Sequence, residues 1–470
     1  MQFYCCITWA IMLKYGKRKD SSCDFKKFCK LEDLTMAEKI RVNIPKKYDL
    51  VVGDTFQLYY RGIIEAPNPY VYSIVSICDK GRNFPRYFEY APTEPGQHKL
   101  TIKVYDAQRN LLGEGETMLN VVVPKEPEKC TNILCIGAST TAGGQWVGEL
   151  NRRITGEGGE PAALGFKNAV KFVGTCKPAK YPDVNLTAYG GWHWDSYLTN
   201  APGAMWVKCD NNRQVDDQHS LWQDVNGAIW QLETLQIDYL KFNRWKDHTS
   251  PRPTEGPLVH YANAADTSPI EFTSSSDAPK TPFFIDELGK IDFKAYAEQI
   301  GADSIDAVYI WLGGNGLMSQ QALSLPRKEY CKVVVSKGKQ LVGLIREAFP
   351  NVKVRIMGQH LSSLNGGTGT SYGAMLPLTD TYEICNYKWE LNLAYEAWCL
   401  EDEYKDFMEF INIAGQFDCE YGYPCKQKPV NTRSTVTERL DTNSVHPTTE
   451  GYYQVADAVY RNVVASFCSE

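Results

Sequence analysis

Beyond residue 130, short apolar runs and longer amphipathic stretches take turns along the chain, and this alternation constrains the fold more than any other feature. ILCIG from Ile133, VKFVG from Val170, AVYIW from Ala307 and VKVRIM from Val352 have the length of buried strands, and FINIAGQFD from Phe410 offers one more. Between them, Gln145 to Ile154 carries Trp146, Leu150 and Ile154 at helical spacing. FKAYAEQIGA, the long stretch from Lys328 to Pro350, Asp380 to Tyr404 and the closing GYYQVADAVYRNVVASF also read as helices. Strands alternating with helices predict a parallel sheet covered on both faces. Ligands of such sheets bind at the carboxyl ends of the strands.

A different pattern precedes it. IRVNI, DTFQLYYRGII, YVYSIVSIC, RYFEYAP, HKLTIKVYD and TMLNVVV are short strands broken by Gly and Pro turns. They predict an all-β, immunoglobulin-like sandwich over residues 38–124, with no residue in it that looks catalytic. Residues 125–129, within PKEPEK, form a Pro-and-charge linker, and 130–470 is the α/β domain. One segment interrupts the alternation, at about 205–282. Its Asn226-Gly227 pair between apolar runs is a hairpin signal, and the whole reads as a β-rich insertion. Residues 1–37 read as a poorly ordered leader: FYCCITWAIML is too short for a membrane span, and it lacks the flanks of a signal peptide.

Composition removes several function classes. A formal net charge of -6 and the absence of a long basic run argue against nucleic acid. Fifteen cysteines, an odd number without a framework, predict mostly free thiols and synthesis in a reducing compartment, with Cys23/Cys29 and Cys419/Cys425 as pairs that oxidant could join. No HExxH, CxxC or acidic calcium loop occurs, so no metal or other cofactor is expected. The loop with Gly366, Gly367 and Gly369 follows a strand but lacks the lysine and spacing of a phosphate loop. It could cover a substrate. The 28 tyrosines and 11 tryptophans offer flat amphipathic surfaces suited to sugars.

Four features fall at the predicted carboxyl ends of the strands. Ser139 follows ILCIG, Gly190 and Gly191 stand in AYGGWHWDSY, Asn315 ends WLGGNG, and His446 sits in TNSVHP before the last helix. A serine, backbone N–H groups, an amide and a histidine are the parts of an acyl-transfer site. In this order they resemble the SGNH/GDSL hydrolase family: GAS resembles its GDS block, GGW its glycine block, GGNG its G-x-N-D block and NSVHP its D-x-x-H-P block. The resemblance covers the chain from Cys130 onward, the insertion apart.

That resemblance implies a flavodoxin-like three-layer α/β/α fold and ester hydrolysis, often of acetyl groups on carbohydrate. It makes Ser139 the nucleophile and His446 the base, with Ser139 N–H, a glycine N–H at Gly190 or Gly191, and Asn315 Nδ2 as the oxyanion hole. Beside that resemblance, Trp192 and Trp194 read either as a sugar-stacking wall or as aromatic core, and His360, at the end of another strand, points toward the site by topology, either to contact substrate or to serve structure. Three positions depart from the family pattern. Ala138 and Gly316 replace acidic residues, and Asn443 stands where the aspartate that orients the histidine belongs. An amide there can hold the ring but supplies no negative charge, and it can select the wrong tautomer. Asp441 is two residues off register.

The expectation is therefore a metal-independent serine esterase acting on O-acetyl groups of a polysaccharide or glycan, with no stable membrane span. Nothing in the sequence fixes its oligomeric state. The alternative is a catalytically degenerate carbohydrate-binding or structural protein on the same fold, such as a bacteriophage tail component made in the cytoplasm and released by lysis.

Overall fold

The computed structural model describes residues 39–198, 281–315, 325–363 and 381–470, together with the backbone of short strands between 204 and 271. The leader and the glycine loop at 366–369 lie outside the described residues. Ile40–Glu470 forms one compact unit.

Seven strands come first: β1 Lys47–Val51, β2 Phe56–Tyr59, β3 Ser73–Ile77, β4 Arg82–Asn83, β5 Tyr87–Tyr90, β6 Gly96–Tyr105 and β7 Leu111–Val122, with a helical turn α1 at Tyr60–Ile63. They make one sheet in the order β1-β7-β6-β3 and a second in the order β2-β5-β4. Alternate residues of both sheets, among them Leu50, Leu58, Phe88, Ile102 and Leu119, meet in one buried cluster. Two local expectations are corrected. IRVNI makes only the isolated bridge Val42↔Ile64. The run expected to continue to Ile64 as a strand turns helical at Tyr60, where Gly62 lies against the main chain of Ala414: a Cβ on it would stand 1.8 Å from the Ala414 carbonyl oxygen. Only glycine allows so close an approach of two backbones.

The second part begins with β8 Thr131–Gly137, the short helix α2 Ser139–Ala142, α3 Gln145–Thr155, β9 Val170–Val173, β10 Thr187–Ala188 and α4 Trp194–Leu198. The interrupting segment contains β11 Ala204–Cys209, β12 Leu221–Gln223 and β13 Ile229–Thr234 as one antiparallel sheet, and β14 Val259–Asn263 with β15 Asp266–Glu271 as a hairpin. The Asn226-Gly227 turn lies outside the described residues. Then follow β16 Phe284–Ile285, β17 Lys290–Ile291, α5 Phe293–Gln299, β18 Ala307–Trp311, α6 Arg327–Ala348, β19 Lys353–Met357, α7 Thr381–Cys399, β20 Met408–Ile411, α8 Ile413–Gln416, the hairpin β21 Cys425–Pro429 with β22 Thr437–Asp441, and α9 Thr449–Phe467.

The main sheet runs β10-β8-β18-β19-β20, all parallel, with β9 pairing the first half of β8 and β10 its end. The protein is thus mixed α/β. Helix α9 packs on α3, while α6 packs on α4, α5 and α7, so the helices form two groups. Every residue of β18 is buried, as a central parallel strand requires. The strand expected through FINIAGQFD stops at Ile411, because Asn412 caps a helical turn by accepting the Gly415 N–H at 2.7 Å.

The two parts are joined by buried ion pairs. Asp54, in the turn between β1 and β2, accepts from Arg153 of α3 at 2.8 Å and from Arg461 of α9 at 2.6 Å. Arg153 also binds Asp457 at 2.6 Å and lies over the Tyr460 ring at 3.7 Å. Burial works against the Asp54 charge, yet Arg461 and Arg153 outweigh it and hold its carboxyl below the usual carboxylate range. Removing one partner of such a buried set strands the others. Asp54→Ala is therefore expected to lower unfolding stability by about 3–5 kcal/mol in denaturant melts, and a loss below about 1 kcal/mol would refute the tie.

Candidate active site

Strand register builds the site. Ala188 of β10, Gly137 of β8 and Trp311 of β18 stand opposite one another in a single row across the sheet. Ser139 lies two residues beyond that row, Gly190 and Gly191 two and three, and Asn315 four. All four therefore emerge at the same edge, over the carboxyl ends of adjacent strands.

The turn into α2 needs glycine at 137, since a Cβ there would come within 2.2 Å of Thr141 Oγ1. The chain then turns and Ser139 opens α2, with Ala138 as its extended N-cap. Its backbone N–H is one of the donors a helix start leaves without an intrahelical acceptor. Tyr189 to Trp192 forms a turn closed by Trp192 N–H to Tyr189 O at 3.2 Å, with Gly191 at φ 78°. A turn with positive φ at its third residue requires glycine there, and its closing bond uses neither central N–H, leaving those of Gly190 and Gly191 unspent by it. Asn315 Nδ2 donates to the Trp192 carbonyl at 2.9 Å, so the Asn315 amide is seated beside this turn with a second N–H still to give.

His446 arrives from 307 residues away, and its Nε2 lies 2.8 Å from Ser139 Oγ. The loop that carries it is shaped by Asn443, whose Oδ1 accepts the N–H groups of Val445 and His446, each at 2.9 Å. This fixes the orientation of the amide and turns Nδ2 toward His446 Nδ1, at 3.4 Å. An N–H facing Nδ1 favours the ring tautomer with its proton on Nε2. Burial pushes the His446 pKa down from 6.5 to about 4. Thr448 then caps α9, accepting from Gly451 N–H at 3.2 Å, and its own N–H binds the Gly422 carbonyl at 2.8 Å. Asp441, fully buried, is engaged by Ser363 and by Arg439 at 2.7 Å, so it braces the base of the same loop.

Three candidate substrate contacts lie in the interior. Trp194 is only 2% exposed, bonds Tyr395 OH through Nε1 at 2.9 Å and packs on Trp398; it is core. Trp192 is 5% exposed between Tyr189 and Tyr197, so its ring has no open face for a sugar. His360 is 3% exposed, and Nε2 donates to the Val445 carbonyl at 2.9 Å. It holds the loop behind His446 instead of meeting substrate. Burial keeps it neutral, and the buried Lys388 charge adds to that. The sequence placed His360 near the site by its position after a strand, but not its partner, because Val445 comes from a segment 85 residues away. Among the described residues, no group of three or more His, Cys, Asp or Glu side chains could hold a metal ion, and no helix is long and apolar enough to cross a membrane. Cys419 and Cys425 are both free thiols.

No protein-family model matches the chain, and no curated protein does. Solved structures do. One is a family two carbohydrate esterase with a carbohydrate binding domain from Corynascus thermopiles (Myceliophthora fergusii), at 11% identity and a TM-score of 0.26, covering 91% of this chain and 99% of that one. A family two carbohydrate esterase from Clostridium thermocellum in complex with cellohexaose shares 13% identity at a TM-score of 0.27, over 88% and 93% of the two chains. A peptidoglycan O-acetylesterase shares 14% at 0.27, over 72% and 92%. Of a Streptococcus pneumonia protein the chain covers 61%, at 12% identity and 0.23.

The desolvated ring makes a direct prediction. In an NMR titration His446 should stay neutral until about pH 4. Asn443→Asp should move the midpoint up by at least one unit, since a carboxylate beside Nδ1 stabilises the cation. An ordinary midpoint near 6.5 in the unsubstituted protein would contradict the burial of the ring.

Proposed function

We propose that this protein is a serine esterase that removes O-acyl groups, foremost O-acetyl groups, from a carbohydrate. The observation that carries this reading is the 2.8 Å approach of His446 Nε2 to Ser139 Oγ, with amide and main-chain donors gathered at the same strand ends. The parallel sheet with two helix groups supports assigning the second part to a flavodoxin-like SGNH hydrolase fold. The two sheets closing over one cluster support reading the first part as an immunoglobulin-like sandwich.

On this reading Ser139 Oγ attacks the ester carbonyl carbon while His446 Nε2 takes the hydroxyl proton. The carbonyl oxygen becomes an oxyanion, met by Ser139 N–H, a glycine N–H at 190 or 191, and Asn315 Nδ2. Collapse expels the sugar oxygen, which takes the proton from His446 and leaves acetyl-Ser139. Water, deprotonated by His446, then attacks the acyl carbon; acetate departs and Ser139 regains its proton.

The Asn443 amide sets the rate of this cycle. To act as base, Nε2 must present a lone pair, whereas the amide N–H at Nδ1 favours the opposite tautomer. The histidine must therefore shift its proton before each attack, and the imidazolium formed then meets no carboxylate at 443. The same observation favours the second reading, a carbohydrate-binding protein whose hydrolytic chemistry has lapsed.

Acetate release from acetylated xylan and p-nitrophenol release from p-nitrophenyl acetate separate the two. Ser139→Ala should abolish both, and Asn443→Asp should raise kcat by up to about 10⁴-fold, the reverse of what losing such a carboxylate costs elsewhere. The acid limb of kcat/KM should fall near pH 4 before substitution, because only the neutral ring can accept a proton, and should move upward in Asn443→Asp. Folded protein whose turnover Ser139→Ala leaves unchanged would end the esterase reading.

A further inference from the structure

The first part of the chain carries a cleft of about 470 Å³, lined by Tyr60, Tyr70, Tyr72, Asn83, Phe84 and Arg86 among others. That volume lies within the range of small-ligand sites. The rings of Tyr70, Tyr72 and Phe84 are only partly buried, so their faces contribute to the cleft surface. Phe84 is held by stacking on Tyr87, with ring centroids 5.0 Å apart at 24°. Tyr70 is held by its hydroxyl, which donates to Glu420 at 2.5 Å.

The polar groups are arranged with donors to spare. Asn83 uses Oδ1 to accept from the buried Tyr60 hydroxyl, so its amino group is the end left for a ligand. Arg86 spends Nε on Glu420 at 2.9 Å and Nη2 on Asp418 at 2.6 Å, which leaves the Nη1 edge of the guanidinium. Two carboxylates outweigh its single positive charge, so the cleft has hydrogen-bond donors without a net positive field. Partly open aromatic faces beside neutralised donors suit the apolar faces and hydroxyls of sugar rings, and they disfavour an acidic polymer.

The cleft is also wired to the reactive edge. Arg86 of its lining is bonded to Asp418 and Glu420, four and two residues before Gly422, whose carbonyl holds Thr448 just beyond His446. We infer that this cleft is a binding site for a neutral oligosaccharide, through which the first part of the chain presents a polymeric substrate to Ser139. The site chemistry is independent of catalysis; its purpose as a substrate site rests on the esterase reading above.

Calorimetric titration of the full chain with cellohexaose, xylohexaose and hexagalacturonate tests it, alongside Tyr72→Ala/Phe84→Ala and a gentler Tyr72→Leu/Phe84→Leu that keeps apolar bulk. Expected are binding of at least one neutral hexasaccharide, at least tenfold weaker in the leucine variant, and none of the acidic one. In the same variant kcat/KM on acetylated xylan should fall at least fivefold while p-nitrophenyl acetate turnover stays unchanged. Absence of neutral binding, binding that survives both variants, preference for hexagalacturonate, or capture of a proline-rich peptide in place of a sugar would overturn the inference. Because binding is read without turnover, loss of the esterase reading with the cleft intact, or the reverse, would be recognised as such.

Discussion

Asp54 is the residue on which the arrangement depends. It comes from a turn in the first part, yet it is gripped by Arg153 of the helix that follows Ser139 and by Arg461 of the helix that follows His446. One buried carboxylate thus fixes the spacing of the two helices whose N-terminal loops must meet. Arg461 extends the grip, reaching Gln416 and the Thr55 carbonyl, so α8 and the β1–β2 turn share the same anchor. Buried ion pairs are weak sources of net stability, but they are intolerant of wrong placement, because any stranded charge is costly. Here that intolerance serves register.

The same logic of burial governs the site. Desolvation keeps His446 neutral, which a base requires, but it also raises the cost of the imidazolium that follows. An aspartate at 443 would offset that cost. The asparagine instead spends its oxygen on two main-chain N–H groups, and His360 secures the Val445 carbonyl from behind. The loop is therefore held firmly while residue 443 offers the ring an amide in place of a carboxylate. The geometry of the loop is thus secured by main-chain bonds, without a carboxylate at 443.

Much of this was legible in the chain. The alternation after residue 130, the glycine at the turn before Ser139 and the Asn-x-x-His spacing all act through near neighbours, where a residue type and a backbone conformation imply each other. The aromatic motif around Trp192 and Trp194 left two readings open for an equally physical reason: an amphipathic ring that fills a core and one that stacks on a sugar share the same local sequence. The strand ends at Tyr59 and Ile411 were not legible, because the two segments turn helical where Gly62 and Ala414, distant in sequence, lie against each other.

The sequence by itself determined the parallel α/β character of the second part, the placing of Ser139 and Asn315 beyond strand ends, and the absence of a carboxylate at 443; that Gly190 and Gly191 follow a separate short strand, β10, and not VKFVG, was decided by the fold. Tertiary structure alone decided which of these groups touch. The 2.8 Å contact of His446 with Ser139, the retreat of Trp194 and His360 into the interior, the grip on Asp54 and the aromatic cleft of the first part all join segments separated by tens to hundreds of residues. Periodicity and turn chemistry report what a residue does to its own backbone; burial and charge pairing are set by whatever the rest of the chain folds against it.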